Sequence, residues 1–349
     1  MMSFRGAKLS ALTLPAGTVW LLTEIAEAKG KEALYTKQAP QVLTALRQMA
    51  LIQSVESSNR IEGVAVAPDR LEPLVLGRAR PKDRSEEEIQ GYRRALALIH
   101  DDASKLEVEP DTMLRLHGLC QEGAGDAGKW KRVDNDIIEL RPGQAPLVRF
   151  RAVKARETEA AIGELCLAYR HVVDQRLMHP LVATAALVLD FLCIHPFRDG
   201  NGRVSRLLTL LGLCRHGFGV GRFVSIERVV EESKDDYYAA LYESSKGWHE
   251  DAHDILPWLN YFLGVLRRAY RELEQRDERA HEQRGAKTAL VEAAVDQFPG
   301  DFTLRDLERA CPGVGPDMVR RVLRHMKASG AVKSLGRGPG ARWQRLRAR

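Results

Sequence analysis

Along most of the chain apolar residues recur at three- and four-residue intervals, the spacing of one buried helix face. Val42, Leu43, Leu46, Met49 and Ile52 form one such set. Residues 17–60 therefore read as helical up to "SSNRIEG", where Gly63 is a natural stop. In "RARPKDRSEEEIQGYRRALALIH" a loop leads into a helix, and Ser85 with Glu88 has the form of a capping box. Further helices are expected over 110–121, 153–170, 180–193, 201–216 and 255–283. Residues 129–151 break the rhythm. Ile137, Ile138, Leu140, Leu147, Val148 and Phe150 alternate loosely around "RPGQAP", which predicts a β-hairpin with a Pro/Gly-rich tip.

After Tyr270 the long helix becomes strongly charged, and "RELEQRDERAHEQRG" reads as a boundary. Beyond it "AKTALVEAAVDQF", "FTLRDLERAC" and "GPDMVRRVLRHMKASG" are three helices, the second capped by Thr303, the third starting near Pro316 and stopping at Gly330. "AVKSLGRGPGARWQRL" then reads as two short strands. Three helices and a hairpin predict a winged helix-turn-helix. The expected organisation is mainly α: a helical N-terminal region at 1–100, a core at 101–270, a charged helical linker at 271–285 and the winged unit at 286–349.

Charge sharpens this division. The net charge is +6, yet residues 284–349 hold 14 Lys+Arg against 6 Asp+Glu, leaving 39 against 41 for residues 1–283. The basic character lies at the C-terminal end, where Arg320, Arg321, Arg324 and Lys327 fall largely outside the apolar set Met318, Val322, Leu323 and Met326; with Arg337 and Arg342 on the hairpin, they make DNA a candidate partner. A protein-docking role is the alternative. The five cysteines form no C-x-x-C pair, so neither a disulfide framework nor a zinc ribbon is expected. The start of the chain lacks a sustained apolar core and cleavage site, and the most apolar run, "LVATAALVLDFLCI", is short and carries Asp190. A cytoplasmic protein without a membrane segment is expected.

The densest chemistry is in "IHPFRDGNGRVSR", Ile194–Arg206. Gly200, Asn201 and Gly202 are poor helix formers, and the apolar pattern resumes at Val204, Leu207, Leu208 and Leu211. A tight turn thus feeds a helix N-terminus, whose free N–H groups and dipole attract anions. Arg203 and Arg206, three residues apart, share a helix face and suit phosphate oxygens. A carboxylate beside phosphates, here Asp199, is a ligand for Mg²⁺. His195 stands before the turn as a general base. Pro196 and Phe197 anchor the loop. His179, also followed by proline but by no such turn, reads as a structural cap.

The same run matches H-P-F-x-[D/E]-G-N-G-R-x-x-R at every specified position, the signature of Fic-domain proteins, and residues of about 40–270 resemble the Fic core with its helical N-terminal extension. The resemblance implies an adenylyltransferase that moves AMP from ATP to a Ser, Thr or Tyr hydroxyl of a target protein and of itself. It implies His195 as base, Asp199 on Mg²⁺, Gly200, Asn201 and Gly202 on the α/β-phosphates, Arg203 and Arg206 on the β/γ-phosphates, and Tyr237 and Tyr238 at the adenine, with core packing the alternative reading of the two tyrosines. It also implies that the hairpin at 130–150 is a flap holding a target segment by strand addition. Trp130, at the start of that flap, reads as packing.

Ser58, Glu62 and Gly63 fit the family's inhibitory signature [S/T]-x-x-x-E-[G/N]. Glu62 paired with Arg206 would occupy the γ-phosphate's place. Two alternatives stay open: removal of AMP from a modified target, and a DNA-binding regulator whose core senses nucleotide. UMP, GMP, phosphate and phosphocholine transfer also occur in the family; Gly202 and Arg203 argue against the phosphotransferase branch. Homo-oligomerisation is left open by the sequence.

Overall fold

A computed structural model describes residues 3–5, 11–35, 40–139, 147–298, 300–311, 314–336 and 341–346. They divide into two compact units, Met1–Leu273 and Glu274–Arg349, with the division inside the charged helical stretch.

The first unit is helical apart from one hairpin. Its elements are α1 (Ala16–Tyr35), α2 (Pro40–Ile61), α3 (Pro68–Val75), α4 (Arg84–Asp102), α5 (Pro110–Cys120), β1 (Asp136–Glu139), β2 (Leu147–Arg151), α6 (Ala155–Asp174), α7 (Pro180–Ile194), α8 (Asn201–Arg215), α9 (Ile226–Glu232), α10 (Lys234–Ser245) and the long α11 (Leu256–Gln297), which continues into the second unit. Two expectations change. The helix read over 17–60 is two helices, since Pro40 lacks the N–H an interior position needs and instead opens α2. The helices read at 255–283 and from 286 onward are one element, because no proline intervenes and the single Gly285 costs a long helix only about 1 kcal/mol.

α7 is the axis of the core, buried almost throughout and packed between α6 and α8. Its start is set by His179, whose Nδ1 accepts from the Leu181 N–H at 3.2 Å, the structural cap expected of it. One buried polar cluster ties α7 to other segments. Asp190 accepts from the Ser3 N–H at 2.7 Å, the Ser3 hydroxyl at 2.8 Å and Trp248 Nε1 at 2.7 Å. α4 begins at Asp83, whose carboxylate accepts from the Glu86 N–H; the capping box expected at Ser85 and Glu88 is not formed, and Glu88 is free to reach Arg203. β1 and β2 are antiparallel with a bulge between Ile137 and Ile138, as the alternation predicts; the tip at 141–146 lies outside the described residues. The five cysteines are free thiols. No helix among the described residues is long and apolar enough to cross a membrane.

The second unit holds β3 (Phe302–Thr303), α12 (Leu304–Ala310), α13 (Pro316–Ala328), β4 (Val332–Ser334) and β5 (Arg342–Arg345). β5 pairs antiparallel with β4 and with β3, a two-residue strand too short to show in the sequence pattern. Thr303 caps α12 through a reciprocal bond pair with Asp306. Val291 and Val295, from the end of α11, join Phe302, Leu307, Val319 and Leu323 in a small core.

Candidate active site

α7 ends at His195, whose N–H bonds to the Phe191 carbonyl at 2.9 Å. The residue takes the left-handed conformation, φ +53°. That conformation is costly without glycine and persists only where surroundings enforce it. Pro196, which offers no N–H to continue a helix, follows.

The loop between α7 and α8 is clipped shut by Asn201. Its Oδ1 accepts from the Phe197 N–H at 3.0 Å and its Nδ2 donates to the Phe197 carbonyl at 2.7 Å. The Asn201 side chain is thus occupied inside the loop. The Phe197 ring is fully buried, stacked on His117 with centroids 3.8 Å apart and on Trp130 at 5.1 Å. Gly200 takes φ +80°, which glycine adopts without strain. At Gly202 a Cβ would fall 2.2 Å from Glu62 Oε1, so the close approach of that carboxylate requires glycine.

Glu62 reaches this point from the turn after α2. Arg206 Nη2 donates to Glu62 Oε1 at 2.8 Å and to the Ser58 carbonyl at 2.8 Å, while its Nε donates to the Ser58 hydroxyl at 2.8 Å. Burial works against the Arg206 cation, but the Glu62 carboxylate beside it more than offsets this and holds its pKa above the ordinary value. Its Nη1 is buried with no partner among the described residues. Gly63, φ +81°, turns the chain away after Glu62. Ser58 and Glu62 therefore meet Arg206, the contact that the resemblance implied for Glu62.

A cavity of about 660 Å³ is lined by Glu62, His195, Gly202, Arg206, Tyr237 and Tyr238 on one side and by Ile138, Arg149 and Phe150 of the hairpin on another. His195 Nδ1 lies 3.3 Å from the Leu192 carbonyl, a contact the Nδ1–H tautomer makes, which leaves Nε2 as the acceptor. Burial first, then the cation of Lys131, pushes the imidazole down to about 4, so it is neutral near pH 7. Tyr238 is partly exposed at the cavity wall, and burial raises its hydroxyl to about 12.

Two expected site residues, Arg203 for phosphate and Asp199 for Mg²⁺, do not line the cavity. Arg203 is 1% exposed and paired with Glu88, with Asp199 Oδ2 3.7 Å from its other nitrogen, and it does not line the cavity. Asp199 keeps its carboxylate largely in solvent. Oδ1 accepts from the Gly200 N–H at 2.6 Å and Oδ2 from Gln121 Nε2 at 3.3 Å.

Several bracing residues escape motif reading. His117 Nδ1 accepts from the Gly128 N–H, so Nε2–H donates to the Asp199 carbonyl at 3.1 Å; burial lowers its pKa to about 4, consistent with that neutral form. Lys131 donates to Asn135 Oδ1 at 2.8 Å and the Ile194 carbonyl at 3.2 Å, and burial lowers it to about 8. Asn135 in turn donates to the Phe197 carbonyl at 2.9 Å. Only the adjacency of Lys131 to Trp130 hinted at this brace.

Comparison with known proteins adds three findings. The chain is 33% identical over 90 residues to a protein adenylyltransferase Fic of Nematostella vectensis, covering 25% of this chain and 18% of that protein. It is 28% identical over 144 residues to protein adenylyltransferase fic-1 of Caenorhabditis briggsae, covering 36% and 26%. The chain thus spans about a fifth to a quarter of the length of these curated relatives. A crystal structure of a Fic family protein from Desulfovibrio desulfuricans G20 superposes with a TM-score of 0.61 at 23% identity over 96% of this chain and 97% of that one, a likeness of fold. Residues 107–213, which hold α5, the hairpin and the whole His195–Arg206 run, match the Fic/DOC family, and the chain carries a Fic domain.

Proposed function

We propose that this protein transfers AMP from ATP to a hydroxyl of a protein, itself included, and that Glu62 restrains the reaction. The observation that carries this reading is the convergence of a neutral imidazole, the start of α8, a buried guanidinium and an opposing carboxylate on one cavity. The hydroxyl oxygen attacks the α-phosphorus of ATP and its proton passes to His195 Nε2. The bond from the α-phosphorus to the bridging oxygen breaks, and pyrophosphate leaves. Backbone N–H groups at the start of α8 oppose the phosphate charge. Arg206, already carrying one partnerless nitrogen, takes a terminal phosphate once Glu62 withdraws. Asn201 and Arg203 act as loop clip and buttress rather than through their side chains on the nucleotide. Tyr238 lines the nucleoside side of the cavity.

The solvent-facing carboxylate of Asp199, beside an anion site, fits Mg²⁺, which takes one carboxylate and completes its shell with water and phosphate oxygens. Asp199 would hold the ion, and the ion would neutralise phosphate charge. The hairpin, with Ile138, Leu147 and Val148 exposed, offers its edge to a target segment.

The test is incubation of wild type, Glu62→Gly and Glu62→Gly/His195→Ala with ATP and Mg²⁺, followed by intact-mass measurement. A gain of one adenylate on Glu62→Gly and none on the double variant is expected. No gain on any of them removes the reading. Because Glu62 faces the same cavity as His195, a second arm incubates wild type with modified Glu62→Gly and follows release of label; release would assign Glu62 a second role, in orienting water.

A further inference from the structure

The second unit has a surface that nucleotide transfer does not use. In α13 the buried residues are Val319, Val322, Leu323 and Met326, which fill the small core. Opposite them Arg320, Arg321, Arg324 and Lys327 are exposed, spread over about 120° of the helix at 100° per residue. Arg320 is 3.0 Å from Asp317 and 4.0 Å from Glu308, whereas Arg321, Arg324 and Lys327 pair with no carboxylate among the described residues. The cationic strip continues onto the sheet. Lys327 Nζ lies 6.0 Å from the centroid of Trp343 on β5, and Lys333 on β4 and Arg342 on β5 are exposed. From residue 314 to the end the sequence holds ten Lys+Arg and a single acid, Asp317.

We propose that α13 and the β4–β5 edge form a docking surface for double-stranded DNA, independent of the AMP-transfer reading. Charge complementarity selects a polyanion. The shape selects a duplex: a 13-residue helix, about 10–12 Å across with its side chains, matches a major groove about 12 Å wide. The aromatic content speaks against a single strand, whose bases need exposed rings to stack on. Phe302 is buried and Phe298 and Trp343 are half-buried, so the described residues of this unit present no such platform. Arginines and lysines without carboxylate partners are available to phosphates at no cost in broken ion pairs, and Arg321 and Arg324 stand where a groove-bound helix meets base edges.

The experiment is fluorescence anisotropy of the full chain with a mixed-sequence duplex of about 20 base pairs, between about 50 and 200 mM salt. Binding that weakens linearly in log–log form is expected. Arg321→Ala/Arg324→Ala/Lys327→Ala should flatten the salt slope by about 3 and weaken binding at least about tenfold at the lowest salt, since each phosphate contact contributes about 0.9 to the slope. Alanine favours helix, so the circular-dichroism melt should match wild type. Lys333→Ala/Arg342→Ala, on the sheet, gives a second measurement with an expected flattening of about 2. Absence of duplex binding at the lowest salt overturns the proposal. So do variants that bind like wild type, or tighter binding of single-stranded DNA, RNA or polyglutamate than of duplex.

Discussion

Glu62 and Arg206, 144 residues apart, meet at 2.8 Å over Gly202 in the cavity that His195 also lines. Arg206 is 6% exposed, whereas the Glu62 side chain keeps 29% of its surface. Withdrawing Glu62 returns a partly exposed carboxylate to water but leaves the buried Arg206 cation without its counter-ion, so the pair opens readily only where another anion, such as a terminal phosphate, takes the place of Glu62. The carboxylate is the movable member. Glu62→Gly should raise self-modification by about a hundredfold, the scale on which a misplaced reacting group loses rate. Time courses of label incorporation from ATP check this; a rate equal to wild type would show that the pair does not restrain transfer.

Lys234 holds the turn that carries Glu62. Its Nζ donates to the Ile61 carbonyl at 2.9 Å, at the C-terminal end of α2 and one residue before Glu62, and lies 5.9 Å from the Tyr238 ring at the cavity wall. A cation at a helix C-terminus stabilises it by about 0.3–1 kcal/mol. Lys234→Ala should loosen the turn that presents Glu62 and raise self-modification about two- to fivefold on that energy scale, short of the Glu62→Gly level. The effect should vanish in the Glu62→Gly background. A persistent effect there would mean that Lys234 acts on the nucleotide side instead.

Much of this site was legible because its parts are consecutive. Gly-Asn-Gly next to a resuming apolar pattern is enough to place a turn and the start of α8, and Pro196 next to a Leu/Val/Phe run is enough to end α7. Ser58, Glu62 and Gly63 were legible by signature. What escaped was partnership across the chain. Glu88 looked like half of a local capping box but is 115 residues from its partner Arg203, and that burial removed Arg203 from the cavity wall. Lys131, Asn135 and His117 brace the loop through bonds to backbone atoms at 194, 197 and 199, and backbone partners leave no trace in side-chain patterns. β3 escaped because two residues carry no period.

Asn201 tests whether loop closure or phosphate contact explains the residue. Its amide fills both the donor and the acceptor of the Phe197 backbone. Asn201→Ala leaves the buried Phe197 N–H unpaired, at a cost of about 1–3 kcal/mol, while Asn135 still serves the carbonyl. The melting temperature should fall together with the transfer rate. Asn201→Asp retains the acceptor and should recover most of the stability. A variant with unchanged melting but lost ATP binding would instead place the amide on the nucleotide.

The pH dependence of transfer should separate a buried base from an ordinary one. An unperturbed imidazole titrates near about 6.5. In the folded protein, burial and the nearby Lys131 cation bring His195 down to about 4. Between these values the unfolded chain holds a proton that the folded chain refuses, so the His195 contribution to stability is full above about 6.5 and is lost as pH falls toward about 4. Transfer by Glu62→Gly should accordingly stay level as pH is lowered through 6.5, because Nε2 remains an acceptor, and should decline only on approach to about 4. Single-turnover rates across this range, with the His195 ring followed by NMR, measure both quantities on one protein. An acid limb centred near 6.5 in both would mean that water reaches the imidazole and that burial does not set its protonation. A limb near 6.5 in rate alone, with the ring neutral throughout, would assign the titration to another group on the path of the proton.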